Sequence, residues 1–561
     1  MKKILITLIL LLVIGLAVLT RFYKLGEAPA GLYVDEAGQG YSAYSILKTG
    51  KDEFGKNYPI VFRSFTDFKT PVYIYSIVPL IPQFGLTPFT IRFPSFLFSI
   101  LTIPILFLLV RKLTPKNMSL PLAFLATFLF AISPWHIVFS RTYVECNLAL
   151  FFLLSGVYVF YLSLQRPFLL LVAAVLFAVA VPAYHSQRLV TPLVVIFLAL
   201  RHKKIIFSKT HKKWLILACV VGFVLTIPML SIITTPGFLA RAAGLNIFSE
   251  ARVPAGFVAD YQGIFSWLVN SRWFLSVQEF IALYLSYFSP RLMFNVGDYE
   301  PRSSFPELAT FFIWQLPFYL VGLYIFTKSR LGELKFFVLI LLLLAPIPAA
   351  ITRDPYNTYR SLPLVIPQTI IISLGIISVF VWAKGLLGKL GLKKVFLPGV
   401  VIFSVLLLVY SLGKLYSSAI LLNEYFRAKD WDWGWDRVVA NVKTFDSNLP
   451  VIIDNSREEP YIELAFFLQY DPAKYQKENK EIDLENYYTD MNRKTTIKFD
   501  NITTRPINWE KDLRIMQYLI GDELAISPEQ ITRHGLTLIK EIKYPDKTVA
   551  FRIVKTNPKY F

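Results

Sequence analysis

The sequence predicts a polytopic α-helical membrane protein of about 11 transmembrane helices, followed by a C-terminal α/β domain on the extracytoplasmic side. Three observations predict it. The 561 residues are 55% hydrophobic, 16% aromatic and only 17% charged, whereas a soluble domain carries about 25% charged residues. Apolar segments of near-membrane length recur from residue 4 to residue 413. From Lys414 the chain turns polar, and the remaining tail is long enough to bury a core of its own. The expected domains are therefore 1–413 in the membrane and 414–561 outside it.

The apolar segments read as spans at 4–20, 88–110, 118–134, 147–164, 167–183, 189–200, 214–233, 307–327, 335–350, 361–382 and 395–413. The net charge of +20 would suit nucleic acid, but its distribution argues against that. With the N-terminus inside, the loops 1–3, 111–117, 165–166, 201–213, 328–334 with Lys335, and 383–394 hold nearly all the positive excess, and their one acid is Glu333. Lys/Arg enrichment on one side is the positive-inside signature. The runs 201–204 (RHKK) and 211–213 (HKK) are thus topology signals of a plasma (inner) membrane protein, and no nucleic acid partner is expected. The opposite orientation would put these runs outside and is rejected.

The N-terminal MKK followed by an apolar run also fits a secretory signal peptide, with Ala28-Pro29-Ala30 as a small-residue cleavage site. The run reaches membrane length and many spans follow, so an uncleaved first span is expected. Cys146 and Cys219 fall at or within spans, far apart in sequence, and suggest neither a disulfide nor a metal site. Asn501-Ile502-Thr503 is read as a chance glycosylation sequon. No internal repeat points to an inverted-repeat transporter.

Loop 37–87 carries more than a connection. Tyr41, Tyr44, Ile46 and Leu47 recur at helical spacing, which predicts an amphipathic helix lying on the membrane surface. A second such stretch follows Lys69 at 72–78. In the tail, Pro450–Asp454 reads as a buried strand, Glu463–Tyr470 as a short helix, and 536–544 with 548–554 as a hairpin turning at Pro545-Asp546-Lys547. Trp431, Trp433 and Trp435 alternate with Asp430, Asp432 and Asp436. They read as an interfacial aromatic belt or, alternatively, as a sugar-stacking platform. The tail shows no phosphate loop, no metal-spaced histidines and no nucleophile elbow.

The residues that carry chemistry cluster on the outer side. Asp35-Glu36 follows the first span, and adjacent carboxylates beside a bilayer are costly unless they serve a site. In chain order come Asp67-Phe68-Lys69-Thr70-Pro71, Arg92-Phe93-Pro94, Arg141 through Glu145, and Tyr184-His185-Ser186-Gln187-Arg188. Tyr287 through Arg291 follow, then Thr352-Arg353-Asp354-Pro355 and Tyr359-Arg360-Ser361-Leu362-Pro363. Together they supply carboxylates (Asp35, Glu36, Glu145) and cations (Lys69, Arg92, Arg141, Arg188, Arg291, Arg353, Arg360).

This order resembles the membrane glycosyltransferases of the GT-C class. It is most similar to the branch that holds protein O-mannosyltransferases and the aminoarabinose transferase of lipid A. That branch has an Asp-Glu pair in the first outer loop, a Lys-Pro-Pro type motif after it and an Arg opening the second span. A later acidic loop residue and an Arg-Tyr-x-x-Pro type motif complete it. The chain departs in having one proline after Lys69 and the order Tyr359-Arg360.

The resemblance, over 1–413, implies transfer of a sugar from a polyprenyl-phosphate donor to a protein, lipid or glycan acceptor, with inversion. Fixed cations would stabilise the leaving lipid phosphate in a partly dry site, and an acceptor hydroxyl or amine needs a base. Asp35 is assigned as base, with Glu36 beside it in the catalytic pair. The resemblance suggests Lys69 and Arg92 as donor phosphate contacts, with Arg188 and Arg360 as further candidates. Glu145, Arg141, Arg291 and Arg353 are expected in acceptor-side or structural roles, and a Glu145–Arg141 ion pair four residues apart is one such role. No cofactor is required, although carboxylates near Asp35 could hold a divalent metal ion. The competing class is a membrane transporter or flippase of lipid-linked sugars, which calls for charges within spans. A membrane-anchored sensor calls for a charge-poor membrane part. A ligase moving whole glycans lies within the enzyme class.

Overall fold

The structure, a computed structural model, describes all residues except 1, 239–246, 248–262, 270, 353–354, 391–392, 457–458, 481–482, 490–493 and 561. It falls into two compact units, each assembled from separated stretches of chain. A helical unit comprises Met1–Leu25, Arg92–Thr234 and Leu239–Ala419. A mixed unit comprises Gly26–Ile91, Thr235–Phe238 and Ile420–Phe561. Segment 26–91, expected with the membrane part, thus folds with the C-terminal tail.

Each apolar segment contains a helix. Among the described residues, seven helices are long and apolar enough to cross a membrane. An eighth span results if Ser119–Ala131 and Pro134–Ser140, bent by 54°, count as one broken helix. The bend falls where Ser133 precedes a proline and leaves the helical region. Leu169–Ala183 and Gln187–Arg201 have 15 residues each and Leu316–Lys328 has 13. At 1.5 Å per residue they reach about 20–23 Å, short of a hydrocarbon core of about 30 Å. The membrane-spanning character stands, with fewer full-length spans than the hydropathy predicts.

Lipid tails are as apolar as leucine, so helices in a bilayer associate through close packing rather than the hydrophobic effect. Leu316–Lys328 and Val365–Lys389 pack in this way. A methyl group on Gly322 would lie 1.9 Å from the Ile371 carbonyl oxygen, and one on Gly375 would lie 1.8 Å from that of Phe318. Glycine at both positions lets the two backbones touch.

In the mixed unit, a hairpin of β1 (Phe62–Ser64) and β2 (Asp67–Lys69) sits in the first loop. The tail forms a six-stranded sheet from β3 (Val451–Ile453), β4 (Ile497–Phe499), β5 (Ile502–Thr504), β6 (Tyr518–Gly521), β7 (Thr537–Lys543) and β8 (Val549–Lys555). Its order is β4-β5-β3-β6-β8-β7. The central β3 runs parallel to β5 and β6, while the outer pairings are antiparallel. The expected strand, short helix (here Pro460–Leu468) and hairpin are all present.

The helix Val34–Thr49 is not the surface amphipathic helix that its pattern predicts. Ten of its residues from Glu36 to Ile46 are buried. Gly40 leaves room for Phe466, whose ring would stand 2.7 Å from a methyl group there. The Tyr41 ring meets Tyr475 at 5.7 Å, and its hydroxyl donates to the Tyr470 carbonyl at 3.0 Å. The apolar stripe faces helices Pro460–Leu468 and Pro472–Glu478 of the tail rather than lipid.

The three tryptophans are neither an interfacial belt nor an open platform. All are buried inside the mixed unit. Trp435 packs on Phe551 at 4.6 Å, Trp433 lies under the Arg437 guanidinium at 4.1 Å, and Trp431 meets Tyr33 edge-on at 6.4 Å. Gly31 is required beneath Trp431, because a methyl group there would lie 1.7 Å from the Trp431 carbonyl oxygen.

Candidate active site

Within the mixed unit, Asp35 and Glu36 occupy the first turn of Val34–Thr49. Negative charge at a helix N-terminus is favoured by the backbone dipoles, by about 0.3–1 kcal/mol. The two carboxylates do different work. Glu36 is buried and turns back to accept from the Tyr33 amide at 3.3 Å, closing the helix end. Asp35 stays 29% exposed and accepts from Lys69 Nζ at 2.7 Å. A third acid completes the turn, since Asp432 Oδ2 takes the Val34 amide at 2.8 Å. Asp432 adopts a left-handed backbone (φ 49°), which Asp and Asn tolerate better than most residues.

Lys69 reaches Asp35 because it ends β2, directly before Thr70 and the helix Pro71–Ile77. The β1–β2 hairpin fixes its backbone, and its side chain is only 8% exposed. The loop behind it is anchored by Asp52. That buried carboxylate accepts from the amides of Phe54 at 3.1 Å and Lys56 at 2.8 Å, and from the Tyr487 hydroxyl. Burial pushes Asp52 up to about 6, and these donors hold it from rising further. Tyr487 in turn accepts from the Arg63 amide of β1 at 2.8 Å.

Within the helical unit, Arg92 is fully buried and donates to the Leu25 carbonyl at 3.4 Å. Arg141, also buried, donates to the carbonyls of Thr20 (3.1 Å), Arg21 (3.2 Å) and Lys24 (3.4 Å). A cation over the last carbonyls of a helix is favoured by the dipole. Arg141 therefore clamps the end of helix Lys2–Phe22. Burial, then the Arg92 charge, bring its guanidinium down to about 10. Arg21 adds a third buried guanidinium, bonded to the Ala131 carbonyl at 2.7 Å and to His136 at 3.0 Å.

Glu145 begins helix Glu145–Ser163 and is buried. It accepts from Tyr143 at 3.1 Å and from the Tyr359 hydroxyl. Burial, with the Glu145 charge next, holds the Tyr359 phenol well above its ordinary range, so it stays a donor. The loop bearing Tyr359 is tied down at Thr358, which donates to Asp298 through its amide at 2.8 Å and its hydroxyl at 2.6 Å. Burial raises the Asp298 carboxyl.

Arg360 donates to the Thr352 hydroxyl, Arg188 is half-buried in the first turn of Gln187–Arg201, and Arg291 is exposed before Leu292. Arg353 lies outside the described residues. Among the described residues no three His, Cys, Asp or Glu side chains converge to hold a metal ion. The sequence missed Asp432, Arg21 with His136, and Tyr143 with Tyr359 as carboxylate donors. The Tyr359-Arg360 pair was visible, but the residue that bonds Glu145 is the tyrosine.

A family model described as dolichyl-phosphate-mannose-protein mannosyltransferase matches residues 69–232. No curated protein sequence matches the chain. Among solved structures, ArnT from Cupriavidus metallidurans in the apo state is similar at 12% identity and a TM-score of 0.55, with 98% of each chain covered. The same protein bound to undecaprenyl phosphate is similar at 13% identity and a TM-score of 0.54, again over 98% of each chain. Identity this low establishes a common fold. The chain is thus a multi-pass membrane protein that resembles the GT-C glycosyltransferases, in sequence over 69–232 and in fold over nearly its whole length.

Proposed function

We propose that this protein transfers a sugar from a polyprenyl-phosphate carrier to a protein, lipid or glycan acceptor on the extracytoplasmic face of the plasma (inner) membrane. Asp35 is the base. The observation that carries the reading is the Asp35 carboxylate itself. It stands at a helix N-terminus, partly open to solvent, and is oriented by Lys69 at 2.7 Å. The similarity to a mannosyltransferase family model supports the reaction class. The ArnT structure with bound undecaprenyl phosphate supports the type of carrier.

In the proposed step, Asp35 takes the proton of the acceptor hydroxyl or amine as that atom bonds to the anomeric carbon. The bond from that carbon to the phosphate oxygen breaks, and the electron pair leaves with the polyprenyl phosphate. A single displacement inverts the anomeric centre. Lys69, Arg92, Arg188 and Arg360 are assigned to the phosphate, where charge grows as the bond breaks. Glu36 caps the helix that carries the base, and Glu145 is a positioning group held by two phenols.

The test is transfer by the purified protein supplied with polyprenyl-phosphate sugar, set beside mass spectrometry of surface glycans with and without the gene. Asp35→Asn should lose about 10²–10⁴-fold in rate, the range for removing a general base, while the protein still inserts and folds and unfolds only slightly earlier for loss of the charge beside Lys69. Undiminished transfer by the purified variant overturns the assignment of Asp35.

A further inference from the structure

We propose that the basic turn joining helices Gln187–Arg201 and Lys209–Leu230 is a docking site for the headgroups of anionic phospholipids. The turn is built rather than loose. A one-turn helix, Lys203–Ile206, links the two long ones, and Ile206 is buried beneath it. His211 is buried too, with one ring nitrogen 3.1 Å from the Ser163 carbonyl and the other 3.1 Å from the Ser208 hydroxyl.

Upon this frame Lys203, Lys204, Lys209, Lys212 and Lys213 are all exposed. The acid beside the turn is already engaged. Glu333 accepts from Arg201 at 2.9 Å and 3.2 Å and from Tyr161 at 3.1 Å, and lies 3.3 Å from His202. None of the five lysines has a carboxylate partner among the described residues. Three of them open helix Lys209–Leu230, which has no acid in its first turn. Lysines there oppose the backbone dipole, so the turn gathers positive charge that no carboxylate among the described residues pairs with.

The apolar neighbours select a lipid over a free anion. Phe207, between the two lysine groups, is 66% exposed, and Ile205 is 39% exposed. Trp214 follows within the next helix, its ring 6.4 Å from that of Phe168. An aromatic ring set among lysines whose stems run along the membrane places ammonium groups at the phosphates while the ring enters the acyl region. A soluble anion would have no use for Phe207.

The test is native mass spectrometry of the purified full chain in micelles doped with phosphatidylglycerol or phosphatidylcholine. Wild type should retain phosphatidylglycerol preferentially. Lys203→Gln with Lys204→Gln and Lys209→Gln should weaken that retention about fivefold per lysine removed, and Phe207→Ser should weaken it further. Equal retention of the two lipids, or an unchanged preference in the triple variant, overturns the proposal. Should the triple variant fail to insert, the wild type supplies the readout. Its preference must shrink between about 50 and 500 mM salt, as exposed charge interactions do, and a preference unmoved by salt overturns the proposal. Displacement of the lipid by millimolar inorganic phosphate would assign the turn to a free anion and overturn it likewise.

Discussion

Lys69 Nζ stands 2.7 Å from Asp35 Oδ2, joining the end of a hairpin strand to the first turn of a helix. The lysine fixes where the proposed base points. Lys69→Met should therefore lower kcat strongly, and Lys69→Arg should restore part of it, because a guanidinium can still donate to the carboxylate. If Lys69 only bound the carrier phosphate, Lys69→Met would raise KM and leave kcat near wild type. Steady-state kinetics with varied lipid-linked donor separates the two outcomes.

Asp432 offers a test that leaves the base itself in place. Asp432→Ala removes the acceptor for the Val34 amide and puts alanine where φ is 49°. A lost helix cap costs about 1 kcal/mol, and alanine lacks the polar side chain that offsets part of the left-handed cost of about 1–2 kcal/mol for Asp or Asn. Asp432→Asn keeps an acceptor oxygen and tolerates that backbone. Thermal unfolding should rank wild type and Asp432→Asn close together with Asp432→Ala well below, and transfer should follow the same order.

Tyr359→Phe deletes one of two phenols that hold the buried Glu145. Hydrogen bonds to charged groups contribute about 1.5–3 kcal/mol, so the variant should unfold earlier by that amount. Tyr143→Phe should cost a similar amount, and the double variant more than either. A neutral Tyr359→Phe would remove Glu145 from the role of a fixed positioning group.

Asp52 gives the mixed unit a pH dependence of known sign. Its carboxyl rises from 3.8 to about 6 on burial, so between those values the folded state binds more protons than the unfolded state. Stability from this group then falls as pH rises from about 4 to 6, and above 6 the cost of a buried carboxylate is fully present. Asp52→Asn keeps an oxygen for the Phe54 and Lys56 amides. It should flatten that slope and leave the variant no less stable than wild type at pH 7.5. Denaturation monitored from pH 4 to 8 checks it.

Much of this was legible in the chain, and the gaps have a common physical cause. Apolar runs marked each membrane helix, and Pro545-Asp546-Lys547 marked the β7–β8 turn, because both signals are local. Asp35 and Lys69 were legible as one loop's chemistry. Periodicity at Tyr41 and Ile46 announced a face to be covered but could not say whether lipid or protein covers it, and tail helices do. The tryptophans were misread for the same reason. Arg141 bonds to main-chain carbonyls, which every residue owns and no motif marks. Tyr359 and Glu145 are 214 positions apart, and nothing local links them.

The seating of Tyr41 against Tyr470 spans 429 positions of chain. At about 5–20 residues per second, a ribosome needs roughly 20–90 s to deliver the second partner after the first. During that interval the helix carrying Asp35 has been made yet lacks the surface that buries it. A transcript ending early, even beyond the final long span, would leave that helix permanently unseated, so late nonsense mutations should be as damaging as loss of the acid itself.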